Sequence, residues 1–507
     1  MIIVVANSKG GVGKSTISTH LTAWLQLQPP GAAPGAESPV FVVSAAGGGL
    51  RAAYWTAVLL AELDDRTCGQ FGRHVLAASG VSGGSLGLAL YAAQRRVWQA
   101  KRAPDRCETG RAAQMRQVLS GDFLAPIAAG LLFADGPMAF VPFVSPSRDR
   151  HDALASAIRE RWEQAFKGDA SAAGLLNRPM RQALPALFEA TAGAVPDAAA
   201  RAHPLLYLNA TSVETGRRVI ASNVMLGAVP ADPLFHDEAV SRGTRLLSAR
   251  TSLLDAALHS ARFPVISSAG KVMACSIHGR GTGDGVCALD GQPYGLHVWG
   301  HLMDGGYFEN SGLETLADVL EILQPPSRRA PPVFLIAISN EAGTRSLCPR
   351  ASMPRSMGQA DIKRLAERSV GTPFQEASPT WRDGDAVGGL PATLKTLLSV
   401  REARARLALE RVVQRLGCAS VLEWSLGEHL ALSARDRDSK DAFGGRRDLN
   451  EPALGWLLSA SSMRRMDEGV QRYAENFPFD QAACPVLPGP RARRLIGARG
   501  DSDVLCR

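Results

Sequence analysis

Four groups of residues in this chain have the types and spacing that chemistry needs. Gly80-Val81-Ser82-Gly83-Gly84 is a G-x-S-x-G match lying between an apolar run (74–78) and a helical pattern. A strand that turns straight into a helix at a serine presents the hydroxyl at a helix N-terminus, where free amides and the dipole favour developing negative charge. Gly80, Gly83 and Gly84 leave the room such a turn requires. Upstream, Gly47, Gly48 and Gly49 precede Arg51. Consecutive glycines let backbone N–H groups converge on one point, as an oxyanion hole for acyl transfer demands. Downstream, MDGGYFENSG (303–312) places Asp304 at the end of an apolar segment, where a carboxylate can act as base toward a serine hydroxyl. Each also has a plain reading: a Gly-rich βα turn, a tight turn and an Asp-Gly β-turn. The fourth group, SKGGVGKST (8–16), is a phosphate-loop pattern with Lys9, Gly11, Gly13, Lys14, Ser15 and Thr16.

The elements that must hold these residues follow from hydrophobic periodicity. Strands are expected at 2–6, 40–44, 74–78, 204–209, 217–221 and 333–339, with a strand-like segment running into Asp304. Helices are expected at 14–27, 51–63, 84–98, 251–260, 312–323 and 386–417, and 150–190 reads as helical. Strands alternating with helices at this spacing predict an α/β protein with a mostly parallel central sheet covered by helices. Residues 28–39 (QPPGAAPGAESP) read as a Pro/Gly linker, and 485–507 as a basic tail.

Composition narrows the function classes. The 507 residues are 46% hydrophobic and 21% charged, which supplies a core and excludes a disordered or fibrous chain. No stretch reaches the ~18 uninterrupted apolar residues of a membrane span, and the N-terminus does not read as a secretory leader. The net charge of +8 is mild, and no basic stripe is interleaved with aromatics, so nucleic acid is not an expected partner. A cytoplasmic or peripheral membrane location is the default. Eight scattered cysteines do not make a disulfide scaffold, although an even count allows a bridge or two. Cys275-x-x-His278 with Cys287 and His297 is too loose a spacing to predict a metal site. The apolar, proline-broken segment 122–143 packs inside as a cap or docks at a bilayer surface, burial being the expectation.

Taken in this order, the triple glycine, the serine elbow and the Asp-Gly-Gly resemble the patatin-like phospholipase family over about 39–484. Softer echoes are NATSVETGRR (209–218), SARFPVISS (260–268), VREARARLALE (400–410) and LGWLLS (454–459). The resemblance implies a three-layer α/β/α fold and hydrolysis of acyl esters in phospholipids or neutral lipids. It implies Ser82 as nucleophile, Asp304 as base, Gly47, Gly48 and Gly49 as oxyanion hole, and Arg51 beside it. It implies no metal and no organic cofactor, and a lipid substrate or membrane surface as partner. An α/β-hydrolase with a Ser–His–Asp triad would share the elbow and need a late histidine such as His429. A lipid-binding pseudoenzyme is a further alternative.

The first 27 residues look like the start of a partition-type ATPase with a deviant phosphate loop, an orphan β-loop-α unit. That resemblance stops near Leu27, before the strands that would order water and magnesium. A truncated fragment without ATP binding is therefore the expectation, and a P-loop ATPase the competing class.

Overall fold

The computed structural model describes residues 40–100, 108–135, 150–184, 204–223, 251–263, 267–275, 288–289, 292–293, 296–323, 333–340, 347–348, 389–427, 429–430, 455–475 and 477. The phosphate-loop residues Lys9, Gly11, Gly13, Lys14, Ser15 and Thr16, the linker and the basic tail lie outside them.

Eight strands make one sheet: β1 Val40–Ala45, β2 Val75–Val81, β3 Leu205–Ser212, β4 Arg218–Ser222, β5 Gly270–Cys275, β6 Leu296–Asp304, β7 Val333–Ser339 and β8 Val421–Ser425. Their order is β8-β7-β1-β2-β3-β6-β5, with β4 paired to β3. The pairs from β8 to β3 are parallel, and those among β3, β4, β5 and β6 are antiparallel. The sheet is thus mixed and mostly parallel, the α/β architecture expected from the strand–helix alternation.

Nine of the helices matter here: α1 Gly49–Arg66, α2 Gly83–Ala100, α3 Arg111–Leu119, α4 Leu124–Ala129, α5 Arg150–Ala165, α6 Leu253–Ser260, α7 Leu313–Leu323, α8 Gly389–Leu416 and α9 Ala460–Glu475. The strands are apolar on both faces because both faces are covered. Phe41, Val43, Ile336 and Trp424 point into a core with α1, α2, α3 and α9. Val42, Leu335, Ala337 and Val421 point the other way, against α7 and α8. Three layers result.

Buried polar contacts fix α1 against α2, the two helices that follow the glycine loop and the serine. Asp64 on α1 accepts from Arg95 Nη1 (2.6 Å) and Tyr91 Oη (3.0 Å) on α2. A disulfide joins Cys348 to Cys418 across 70 residues, one of the bridges the even cysteine count allowed.

The segment beginning at 122 departs from the burial expected of it. Phe123 and Ile127 are buried, but Leu124, Leu131, Leu132 and Phe133 are exposed, Phe133 at 81%. One side of this short helix packs on α5, and nothing described covers the other. No described helix is long and apolar enough to cross a membrane.

Candidate active site

The sheet brings residues 82 and 304 together through strand order. Along β3, β4 occupies one edge at 207–211. β2 and β6 share the opposite edge: Val81 pairs with Asn209, and Asp304 with the next residue, Ala210. β2 runs parallel to β3 and β6 antiparallel, so their C-terminal ends approach head to head. Ser82 leaves β2 with φ +52°, a left-handed conformation rare for a residue with a Cβ. Ser82 Oγ–H donates to Asp304 Oδ2 at 2.6 Å, and both residues are buried (7% and 2% exposed).

Each partner is held from behind. The Ser82 amide donates to Ser260 Oγ (2.9 Å), and Ser260 Oγ–H donates to the Asn209 carbonyl. The Gly306 amide donates to Asp304 Oδ1 (2.7 Å), and Thr211 Oγ1 to the Asp304 carbonyl (2.9 Å). Burial pushes the Asp304 pKa from 3.8 up to about 6, against the opposing effects of the Ser82 and Gly306 hydrogen bonds and the Arg401 charge. At neutral pH the group is an anion poised to take a proton.

The three glycines of 47–49 do not share one role. The Gly47 amide is committed to the Asn310 carbonyl (2.9 Å), and Gly47 packs so close to Ser82 that a Cβ would lie 3.0 Å from Ser82 Cβ. Gly48 and Gly49 have φ of +152° and +58° and open α1, where the first amides have no acceptor within the helix. Asn340, just after β7, ties this loop down: its Nδ2 donates to Gly47 O (2.6 Å), and its Oδ1 accepts from Arg51 Nε (3.0 Å). Arg51 is buried and acts on the loop through Asn340. The elbow glycines serve close approach. A Cβ on Gly80 would lie 2.7 Å from Ser85, and one on Gly84 2.4 Å from Ala45 O.

Sequence reading missed Asn209, Ser260 and Asn340, although NATSVETGRR and SARFPVISS contain two of them. Asn209 bridges three elements: Nδ2 donates to Ser79 Oγ (2.9 Å) and Gly80 O (2.7 Å), and Oδ1 accepts from Thr315 Oγ1 (2.6 Å). Asn209→Ala takes a partner from three buried groups, of which Thr315 Oγ1 keeps its bond from Arg218 Nη1 (2.9 Å), and we expect it to lower unfolding free energy by about 2–3 kcal/mol in urea denaturation. A loss below about 1 kcal/mol would mean that those groups find other partners.

His429 sits in the core, where it contacts a Cβ position on Gly469 that Trp55 also crowds. The Ser82 hydroxyl bonds Asp304, and among the described residues no histidine is hydrogen-bonded to it. His301 pairs with Glu214 (2.8 Å) on the exposed side. Of the loose metal spacing, His278 and Cys287 lie outside the described residues. No cluster of three or more metal-ligating side chains occurs among those described.

No family model matches the chain, and no curated protein matches it significantly. Among solved structures, human GIVD cytosolic phospholipase A2 in complex with methyl gamma-linolenyl fluorophosphonate aligns over 96% of this chain and 65% of its own, at 16% identity and TM-score 0.38. A further structure of human GIVD cytosolic phospholipase A2 aligns over 96% of this chain and 66% of its own, at 14% identity and TM-score 0.36. VipD from Legionella pneumophila aligns over 66% and 53%, at 11% identity and TM-score 0.25. The chain thus spans under two thirds of the length of the phospholipase it aligns with. At these TM-scores the likenesses carry no functional weight.

Proposed function

We propose that this protein is a serine hydrolase of lipid acyl esters, of the phospholipase A or acylglycerol lipase class. One observation carries the reading: a serine on a left-handed strand–helix elbow donates its proton directly to a buried carboxylate, beside a helix-opening glycine loop.

In this mechanism Ser82 Oγ attacks the ester carbonyl carbon while Asp304 takes the hydroxyl proton. The tetrahedral oxyanion rests on the amides of Gly48 and Gly49, since the Gly47 amide is already spent on Asn310. The carbon–oxygen bond to the alcohol breaks as Asp304 returns the proton to that oxygen, leaving Ser82 acylated. Water then attacks the acyl-enzyme, again giving its proton to Asp304. Carboxylic acid departs, and the proton returns to Ser82.

The exposed Leu131, Leu132 and Phe133 would meet a lipid surface. The segment that carries them is tied at its start to the stretch beside the opening of α1: the Phe123 amide bonds Trp456 O (3.1 Å), and the adjacent Gly455 O accepts from the Leu50 amide (2.8 Å). The test is hydrolysis of p-nitrophenyl butyrate by the full chain, with labelling by a fluorophosphonate mapped by mass spectrometry. We expect turnover and an adduct on Ser82. Equal turnover by the parent and Ser82→Ala, or an unlabelled Ser82, would overturn the reading.

A further inference from the structure

Both dyad amides donate to one stretch at the end of α6. The Ser82 amide bonds the hydroxyl of Ser260 (2.9 Å), the last residue of that helix. The Asp304 amide bonds the carbonyl of Arg262, two residues on (3.0 Å). Residues 82 and 304 stand 222 positions apart in the chain, yet the segment 260–262 holds the backbone of each. That segment is fixed from behind in turn. The Arg262 guanidinium donates to His259 Nδ1 (3.0 Å) and to the Ser268 carbonyl (2.8 Å), and the His259 ring stacks on His151 of α5.

Ser260 is fully buried, and its hydroxyl is saturated. A hydroxyl has one proton to give and two lone pairs to accept with. The proton goes to the Asn209 carbonyl, and one lone pair takes the Ser82 amide. The other takes Ser85 Oγ–H at 2.8 Å, so Ser85 must be the donor of that pair. Ser260 therefore has no proton left for a substrate, and its role is geometric. The residue it holds needs holding. Ser82 has φ +52°, a conformation that costs about 1–3 kcal/mol and persists only where its surroundings enforce it. A peptide free to relax there would swing Oγ away from Asp304, and a displacement of about 1 Å can cost ~100-fold in rate.

We infer that Ser260 is a positioning residue for the nucleophile, and that residues 260–262 set the spacing of Ser82 and Asp304. This rests on the acyl-hydrolase reading above. The test measures kcat and KM of the full chain on p-nitrophenyl butyrate for the parent, Ser260→Ala and Ser85→Ala. The Ser85 variant removes a buried hydroxyl from the same cluster but leaves the Ser82–Ser260 bond in place. In Ser260→Ala we expect kcat to fall about 10- to 100-fold with KM within about twofold of the parent. The midpoint of its kcat/KM pH profile should also move upward, because Asp304 loses part of the Ser82 hydrogen bond that favours its anion. In Ser85→Ala we expect kcat within about threefold and an unmoved midpoint. Parental kcat in Ser260→Ala, or equal losses in the two variants, overturns the inference while leaving the hydrolase standing. Should Ser260→Ala prove insoluble, Ser260→Cys nearly keeps the volume and offers a weaker acceptor. A reduced kcat there, with KM unchanged, supports the inference, and a parental kcat overturns it. A parent that does not cleave the ester defeats the hydrolase reading and this inference with it.

Discussion

Asp304→Asn is expected to lower kcat/KM on an acyl ester by at least about 10³-fold while making the protein more stable. An amide has nearly the shape of the carboxylate and can keep the Gly306 bond, but it cannot take the Ser82 proton. The stability gain has a separate origin. Burial raises the Asp304 pKa from 3.8 to about 6, so holding the anion in the folded state at neutral pH costs about 3 kcal/mol. The sign follows from where each state ionises. Well below pH 3.8 the group is neutral in both folded and unfolded chains and Asp and Asn should be equally stable, and at pH 4, where only the unfolded group is partly ionised, they should differ by about 0.6 kcal/mol. Above pH 6 both states are ionised and only the folded one suffers the desolvation, so the Asn variant should melt several degrees higher. Thermal melts at pH 4 and pH 8 read this directly. A variant that melts lower at pH 8 would show that the carboxylate's hydrogen bonds outweigh its burial. In the parent, kcat/KM should rise with pH through an apparent pKa near 6 and then level off. A flat profile from pH 4.5 to 8 would remove Asp304 as the base.

Gly83→Ala should be nearly as damaging to activity, and it should act through the fold. A Cβ at residue 83 would stand 1.8 Å from the Gly49 carbonyl oxygen, which is backbone and cannot swing aside. Relief requires α2 to retreat from α1, yet Asp64, Arg95 and Tyr91 lock those helices together. The glycine loop and Ser82 would move apart in the same step. We expect a loss of more than about 4 kcal/mol of stability, read as a collapse in melting temperature or as insoluble protein, with esterase activity lost alongside. Gly455→Ala is the matched control, because a Cβ there meets nothing within 4 Å. Similar melting temperatures for the two variants would show that the helix contact is loose.

Much of the scaffold was readable from local pattern. VFLIAIS predicts a strand over 333–339 and forms β7 over the same residues, and the Arg/Leu run expected helical over 386–417 is α8, Gly389–Leu416. Such segments are legible because burial repeats every two residues in strands and every 3.6 in helices. The serine elbow was legible too, since the strand, the glycines and the helix are contiguous. Burial of 131–133 was misjudged, because an apolar composition does not say whether a neighbour exists to cover it. Asn209, Asn340 and Ser260 were passed over: single polar residues in strands or at helix ends carry no local signal of their distant partners.

Taken alone, the amino-acid order left β5, β8, α3, α4 and α9 unplaced, but it determined that an α/β sheet would form, where β1, β2, β3, β4, β6 and β7 would lie, and that Ser82 would stand on a tight turn. Each of these depends on residues within about one element of each other. That Asp304 reaches Ser82 from 222 residues away was decided by tertiary structure. So were the engagement of Gly47 by Asn310 and the capture of Arg51 by Asn340. The physical reason is strand order. Only when β2 and β6 line up on the same edge of β3 do their ends converge, and a hydrogen bond of 2.6 Å depends on that convergence rather than on any pattern along the chain.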